Sequence, residues 1–263
     1  MRIPYRLLYT WRCLRNVSDL SAALSFLANT KLSLSFAARL KFVSRIYKIS
    51  LHVVCAHTET EILEIATAIF MLPKTSPGCI VEAGCFKGGA TAKLSIVAQL
   101  TGRTLYAFDS FEGLPANTEA HGETIFGGIP GFEGGKYRGG DHEVKSAVAQ
   151  YGDISRCRFM KGWFDDTMPH FHEPIVVAFV DVDLASSTQT CLKYLYPLLE
   201  PAGSLFSHDG HLPLVLSVFG NDEFWQREVG YPKPRIVSFG ERKLLRIPKT
   251  EAVQNTASGA LQG

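Results

Sequence analysis

The strongest constraint on this chain is an alternation of short apolar runs with helical stretches. Cys79-Ile-Val-Glu-Ala-Gly84 is an apolar run ending in glycine, Lys87-Gly88-Gly89 follows, and a small-residue helical stretch runs from Ala90 to about Leu100. Strand, glycine turn and helix in succession make one parallel α/β unit. Strands at Thr104 to Phe108, Arg158 to Met160, Ile175 to Asp181 and Ser204 to Ser207, with a helix from about Ser187 to Leu199, repeat the pattern. Ahead of them Ile62, Leu63, Ile65, Ala66, Ile69 and Phe70 recur at helical spacing from Thr58 onward, until Pro73, Pro77 and Gly78 stop the helix. Such a chain is predicted to fold as an α/β doubly wound sheet, mostly parallel. Arg235-Ile-Val-Ser-Phe239 and Lys243-Leu-Leu-Arg-Ile247 flank Gly240-Glu-Arg242, which predicts a hairpin and an antiparallel C-terminal edge strand.

With 263 residues, 46% hydrophobic and 20% charged, the chain can bury a sizeable core, as one large domain with appendages. No stretch of 18 residues is free of polar interruption, and the first residues lack a signal peptide's apolar block, so a cytoplasmic protein is expected. The six cysteines form no CxxC pair, which argues against a zinc cage or a disulfide framework.

The charge is unevenly spread. Residues 1–48 hold nine Lys/Arg against one acid, Asp19, while the rest of the chain carries 18 basic and 24 acidic residues. Residues 1–57 therefore read as a basic, helical N-terminal extension that either packs on the main domain or contacts an anionic membrane or a partner through residues 1–48. Dimerisation through its helices, giving a homo-oligomer, is a further expectation. Nucleic acid is not expected as a partner, because the remainder is net acidic. The main domain spans 58–248. Within it, residues 113–143 form a glycine-rich stretch, with nine glycines between Gly113 and Gly140, expected to be a mobile lid; 249–263 read as a disordered tail.

Open α/β sheets bind ligands outside the carboxyl ends of their strands. The first strand ends in Glu82-Ala-Gly84-Cys-Phe-Lys87-Gly88-Gly89, which is neither GxGxxG nor a GxxxxGK[ST] phosphate loop. Its glycines either admit a cofactor or serve helix and strand packing, and Glu82 suits a cationic group. Asp109, about 25 residues after the first glycine, is placed to accept hydrogen bonds from a ribose or to cap a turn. The fourth strand ends in Asp181-Val-Asp183 and the fifth in His208-Asp209-Gly-His211. Adjacent strands would bring Asp181 to His208 and Asp209, an oxygen-rich set suited to Mg²⁺ or another divalent metal. Asp183 or Ser186 is expected to cap the next helix and His211 to be a surface side chain. In the lid, His142 is the candidate auxiliary base among His121, Glu123, Lys136, Tyr137, Arg138 and Asp141.

These motifs carry a resemblance. Glu82-Ala-Gly84 with Lys87-Gly88-Gly89, then Phe108-Asp-Ser-Phe-Glu-Gly-Leu-Pro115, Lys161-Gly-Trp-Phe164 with Thr167-Met-Pro169, Asp181-Val-Asp183 with Ser187-Thr188, and Leu195-Tyr-Pro197 with Gly203 and His208-Asp209 stand in the order of one family. The chain resembles the macrocin O-methyltransferase family over roughly residues 58–247. The resemblance implies a class I methyltransferase fold and S-adenosylmethionine as cofactor, with Glu82 to Gly89 at its methionine portion, Asp109 and Ser110 at the ribose, and Gly162, Trp163 and Phe164 beside the adenine. It further implies a metal at Asp181, His208 and Asp209, with Asp181 as general base, and a small-molecule acceptor bearing a sugar or polyol hydroxyl. His208-Asp209 stands where the family usually has two acids, and Ala185 where it often has tyrosine. Two other readings fit less of the chain: a cofactor-binding scaffold without catalysis, docked through the basic leader, and a nicotinamide-dependent oxidoreductase, against which the absence of GxGxxG counts.

Overall fold

The computed structural model describes residues 17–73 and 75–250. Six strands form one sheet in the order β3-β2-β1-β4-β5-β6: β1 Cys79–Ala83, β2 Leu105–Asp109, β3 Cys157–Lys161, β4 Ile175–Val180, β5 Leu199–Ser207 and β6 Leu245–Pro248. All neighbours are parallel except β5 and β6. Every residue of β1 and β4 is buried, which is why these segments read as apolar runs, interrupted in β1 only by Glu82. The expected C-terminal hairpin is reduced. Its first arm contributes one bridge, Val237 to Arg246, and β6 instead pairs along β5, where Leu245 and Ile247 are covered.

The helices are α1 Val17–Ala28, α2 Phe36–Ser50, α3 Glu59–Phe70, α4 Gly89–Thr101, α5 Asp141–Tyr151, α6 Ala185–Leu195 and α7 Pro213–Gly220. α3 starts at a full capping box, in which Thr58 and Glu61 satisfy each other's backbone N–H groups. α6 ends four residues before the sequence predicts, since Pro197 has no N–H to continue the helical bonding and Leu199 already pairs with Ile175.

The leader packs on the sheet layer. Phe26 of α1, Phe42 of α2 and Phe70 of α3 stack their rings 5.6 to 6.2 Å apart, and Phe42, Ile46 and Ile49 are buried. Each such side chain contributes about 1.5–3 kcal/mol by leaving water. Asp19, the leader's one acid, accepts hydrogen bonds at Oδ1 from the Thr60 N–H (3.1 Å) and hydroxyl (2.7 Å), tying α1 to the start of α3. Buried Lys93 of α4 reaches Glu59 Oε1 and His57 Nε2, each at 3.0 Å. The opposite face is covered by α6, α7 and the turn around Trp225.

Residues 1–16 of the expected extension, and the tail from 251, lie outside the described residues. Lys249 and Thr250 are not loose: Lys249 Nζ donates to the carbonyls of Tyr196 (2.8 Å) and Pro197 (3.0 Å), and Thr250 N–H donates to the Tyr196 hydroxyl. No helix among the described residues is long and apolar enough to cross a membrane.

Candidate active site

The carboxyl ends of β1 to β5 line one cavity of about 580 Å³. Gly84, Asp109, Ser110, Gly162, Trp163, Phe164, Asp181, His208 and Asp209 all stand in its wall. At the β1–β2 end the wall is made mostly by backbone. Gly84 sits at φ 90°, and a Cβ there would lie 2.0 Å from the Asp181 carbonyl oxygen. Asp109 Oδ2 accepts from Cys85 N–H and Oδ1 from Phe111 N–H, both at 2.6 Å, so the carboxylate clamps the two turns that border the cavity. Burial raises its pKa while those backbone donors pull it down. The Gly162 N–H donates to the Asp109 carbonyl, and Ser110 Oγ donates to the Gly113 carbonyl.

Glu82, Lys87, Gly88, Gly89 and His142 are not in this wall. Glu82 is wholly buried within β1, and burial, reinforced by Asp109 and Asp181 and opposed by the Thr91 hydroxyl, pushes its pKa up to about 8. Lys87 turns away to Glu143 of α5, 2.9 Å off, and Gly88 and Gly89 begin α4. The expectation that His142 serves as a base near the acceptor is corrected. The lid ends at Gly140, and His142 stands exposed on the first turn of α5.

At the β4–β5 end the wall is made by charge. Asp181, Asp183 and Asp209 each bring a carboxylate oxygen within 4.8 Å of the others. Asp183 does not cap α6; at φ 63° its backbone turns into the cavity rim, held by the bond from its N–H to Asp209 Oδ2 (3.1 Å). The cap comes from the lid, where Glu119 accepts from Ala185 N–H (2.8 Å) and Ser186 N–H (2.9 Å). Asp209 Oδ2 also takes the Val182 N–H, and its Oδ1 is buried without a partner. Burial and mutual repulsion raise the pKa values of both Asp183 and Asp209.

His208 is not grouped with these carboxylates, contrary to the expected Asp181, His208 and Asp209 set. Its ring lies between two other contacts, Nε2 3.2 Å from Glu61 Oε2 and Nδ1 3.4 Å from Asp181 Oδ1. Burial lowers its pKa, but Asp181 and Glu61 more than offset that and hold it well above the usual histidine value. Burial would likewise raise Glu61, yet His208 and the Thr58 bonds bring it down to about 2. Asp183 thus supplies the third oxygen donor that the Sequence analysis assigned to an imidazole. Three hard oxygens that repel one another when ionised, one of them buried and unpartnered, fit a hard divalent cation.

Sequence reasoning also missed His211 and Lys243, which line the cavity. Burial, then Lys243 and His208, lower the His211 pKa to about 4, leaving a neutral imidazole near pH 7. The lid crosses this side: Asn117 Nδ2 donates to the Phe132 carbonyl (2.9 Å) and Ile125 N–H to the His211 carbonyl (3.1 Å). Paired glycines hinted at the crossing, but only the fold reveals Glu119 as its anchor.

A parallel sheet in this order, with an antiparallel edge and a cavity outside the strand ends, is the class I methyltransferase fold. The O-methyltransferase NovP shares it at TM-score 0.63 and 20% identity, over 81% of this chain and 100% of that one. The calicheamicin methyltransferase CalS11 does so at TM-score 0.57 and 14% identity, over 89% and 92%. Residues 63–214 match the Macrocin-O-methyltransferase (TylF) family, and the chain belongs to it. It is 31% identical over 139 residues to 8-demethyl-8-(2,3-dimethoxy-alpha-L-rhamnosyl)-tetracenomycin-C 4'-O-methyltransferase of Streptomyces olivaceus, covering 51% of this chain and 53% of that protein. It is 29% identical over 144 residues to Mycinamicin III 3''-O-methyltransferase of Micromonospora griseorubida, covering 52% and 57%. The chain thus spans about half the length of these relatives.

Proposed function

We propose that this protein is an S-adenosylmethionine-dependent O-methyltransferase acting on a hydroxyl of a sugar or polyhydroxylated natural product, with help from a divalent metal. One observation carries the reading: a backbone-built turn with Asp109 and a cluster of three aspartates face the same cavity, in a chain of this family. The names of the two relatives, a rhamnosyl-tetracenomycin 4'-O-methyltransferase and a mycinamicin 3''-O-methyltransferase, favour a glycoside as acceptor. Membership of this family argues against the oxidoreductase alternative, and a complete aspartate cluster argues against an inactive scaffold.

The division of labour follows from the two ends. Asp181, Asp183 and Asp209 would hold a divalent cation, whose charge would lower the pKa of an acceptor hydroxyl facing the cofactor's sulfonium methyl. Of the turn from Glu82 to Gly89, Gly84 and Phe86 reach the cavity and would hold the methionine portion, with Asp109 and Ser110 at the ribose and Gly162, Trp163 and Phe164 beside the adenine. Asp181 accepts the hydroxyl proton, held in place by His208, which Glu61 braces from behind. The lid, anchored by Glu119, keeps water from the acceptor.

Calorimetric titration with S-adenosylhomocysteine, with and without Mg²⁺ or Mn²⁺, tests this reading beside Asp109→Ala. Micromolar binding that the variant loses is expected, followed by methyl transfer to glycosides that a chelator abolishes. Absence of binding under every condition would overturn it.

A further inference from the structure

The leader packs one side of its helices into the core and leaves the other side apolar, basic and uncovered. On α1, Leu20 is 60% and Leu24 58% exposed; on α2, Phe36 is 58% and Leu40 50% exposed. Both are i, i+4 pairs, so each helix presents an apolar stripe away from its buried face. Exposed Lys31, Lys41 and Lys48 accompany them, and none of these three lysines forms an ion pair among the described residues. The first 58 residues contain a single acid, Asp19, and it is buried against Thr60.

We infer that this face docks on an anionic lipid surface, with Leu20, Leu24, Phe36 and Leu40 entering the headgroup boundary and Lys31, Lys41 and Lys48 meeting lipid phosphates. Charge complementarity selects this occupant. A second copy related by a two-fold axis would set the same uncompensated cations against each other. Nucleic acid would satisfy the cations but leave leucine and phenylalanine side chains in water. Lysines beside exposed Leu and Phe are the composition of an interfacial segment, whose binding grows with both apolar area and anionic charge. The cavity opens at the strand ends, which residues 17–54 do not line, so docking leaves it accessible.

Co-sedimentation of the full chain with vesicles of phosphatidylcholine alone, or with one third phosphatidylglycerol, tests this. Binding to the anionic vesicles, weakened by salt, is expected. Leu20→Ser/Leu24→Ser and Lys41→Gln/Lys48→Gln should each lower partitioning by about tenfold, with melting temperature and S-adenosylhomocysteine affinity unchanged because these side chains are exposed. No sedimentation of a folded chain with either vesicle overturns the inference, as does equal sedimentation with both. A dimer seen by light scattering that Leu20→Ser/Leu24→Ser dissolves, without vesicle binding, would assign the face to a second copy instead.

Discussion

The two ends of the cavity are built from different materials. Around β1 and β2 the wall is set by where the backbone can pass: Gly84 slips beneath the Asp181 carbonyl, and Asp109 spends its oxygens clamping two turns. Around β4 and β5 the wall is set by side-chain charge, with three aspartates crowded within 4.8 Å and His208 lodged between Glu61 and Asp181. Backbone geometry can recognise a ligand common to many enzymes, since it asks only for close approach. Charge clustered at high cost to stability has another use: it is kept where a cation or a proton has to be handled.

Glu82 is the exception that can break this contrast, because it is a buried ionisable carboxyl at the backbone end. Its folded pKa of about 8 exceeds the ordinary 4.5, so ionisation is resisted by the fold. The stability it permits is full below pH 4.5 and is lost as pH rises through about 8, at no more than about 1.4 kcal/mol per pH unit. Denaturant titrations of Glu82→Gln should therefore lie increasingly above those of the native chain as pH rises from 4.5 to 8. Parallel curves would show that the fold does not resist its ionisation.

At the other end, Asp183→Asn removes one of the repelling charges while keeping a residue that tolerates φ 63°. Turnover should fall about a hundredfold, cofactor affinity should hold, and the metal-free protein should melt higher. A lower melting temperature would mean that the aspartates stabilise rather than strain the fold. The two histidines sharpen the same division: His211→Ala, in the wall, should lower kcat about tenfold, whereas His142→Ala, exposed on α5, should leave it alone. Equal effects would return His142 to the site. Smallest is Glu119→Gln, which keeps the hydrogen-bonding shape but weakens the charged cap of α6. It should cost about 0.5–1 kcal/mol and raise the acceptor KM more than it lowers kcat; an unchanged KM would detach the lid from acceptor binding.

Much of the fold was legible because strands with two buried faces and helices with one leave different periods in a sequence. The runs at β1 and β4, the helical spacing from Thr58 onward and the proline and glycine stops needed no partner to be recognised. The antiparallel C-terminal edge strand expected from the hairpin at 235–247 forms on β5, while the hairpin itself is reduced to the Val237–Arg246 bridge because pairing depends on which neighbour packing supplies. In the site, the residues on the strand ends could be named in advance, since topology alone carries them to one rim. Asp183 was read as a cap because aspartate before a helix usually is one, and nothing local reveals a positive φ or a competing Glu119 from the lid.

By itself, then, the sequence determined the alternation of elements, the strand ends at which chemistry gathers, the family and the basic leader, all properties of residue type and short-range spacing. Tertiary structure decided which carboxylates share a cavity, that His208 faces Glu61 and Asp181, that His142 faces solvent while His211 does not, and which side of the leader remains uncovered. These depend on distances between residues far apart in the chain, which packing sets and no local pattern encodes.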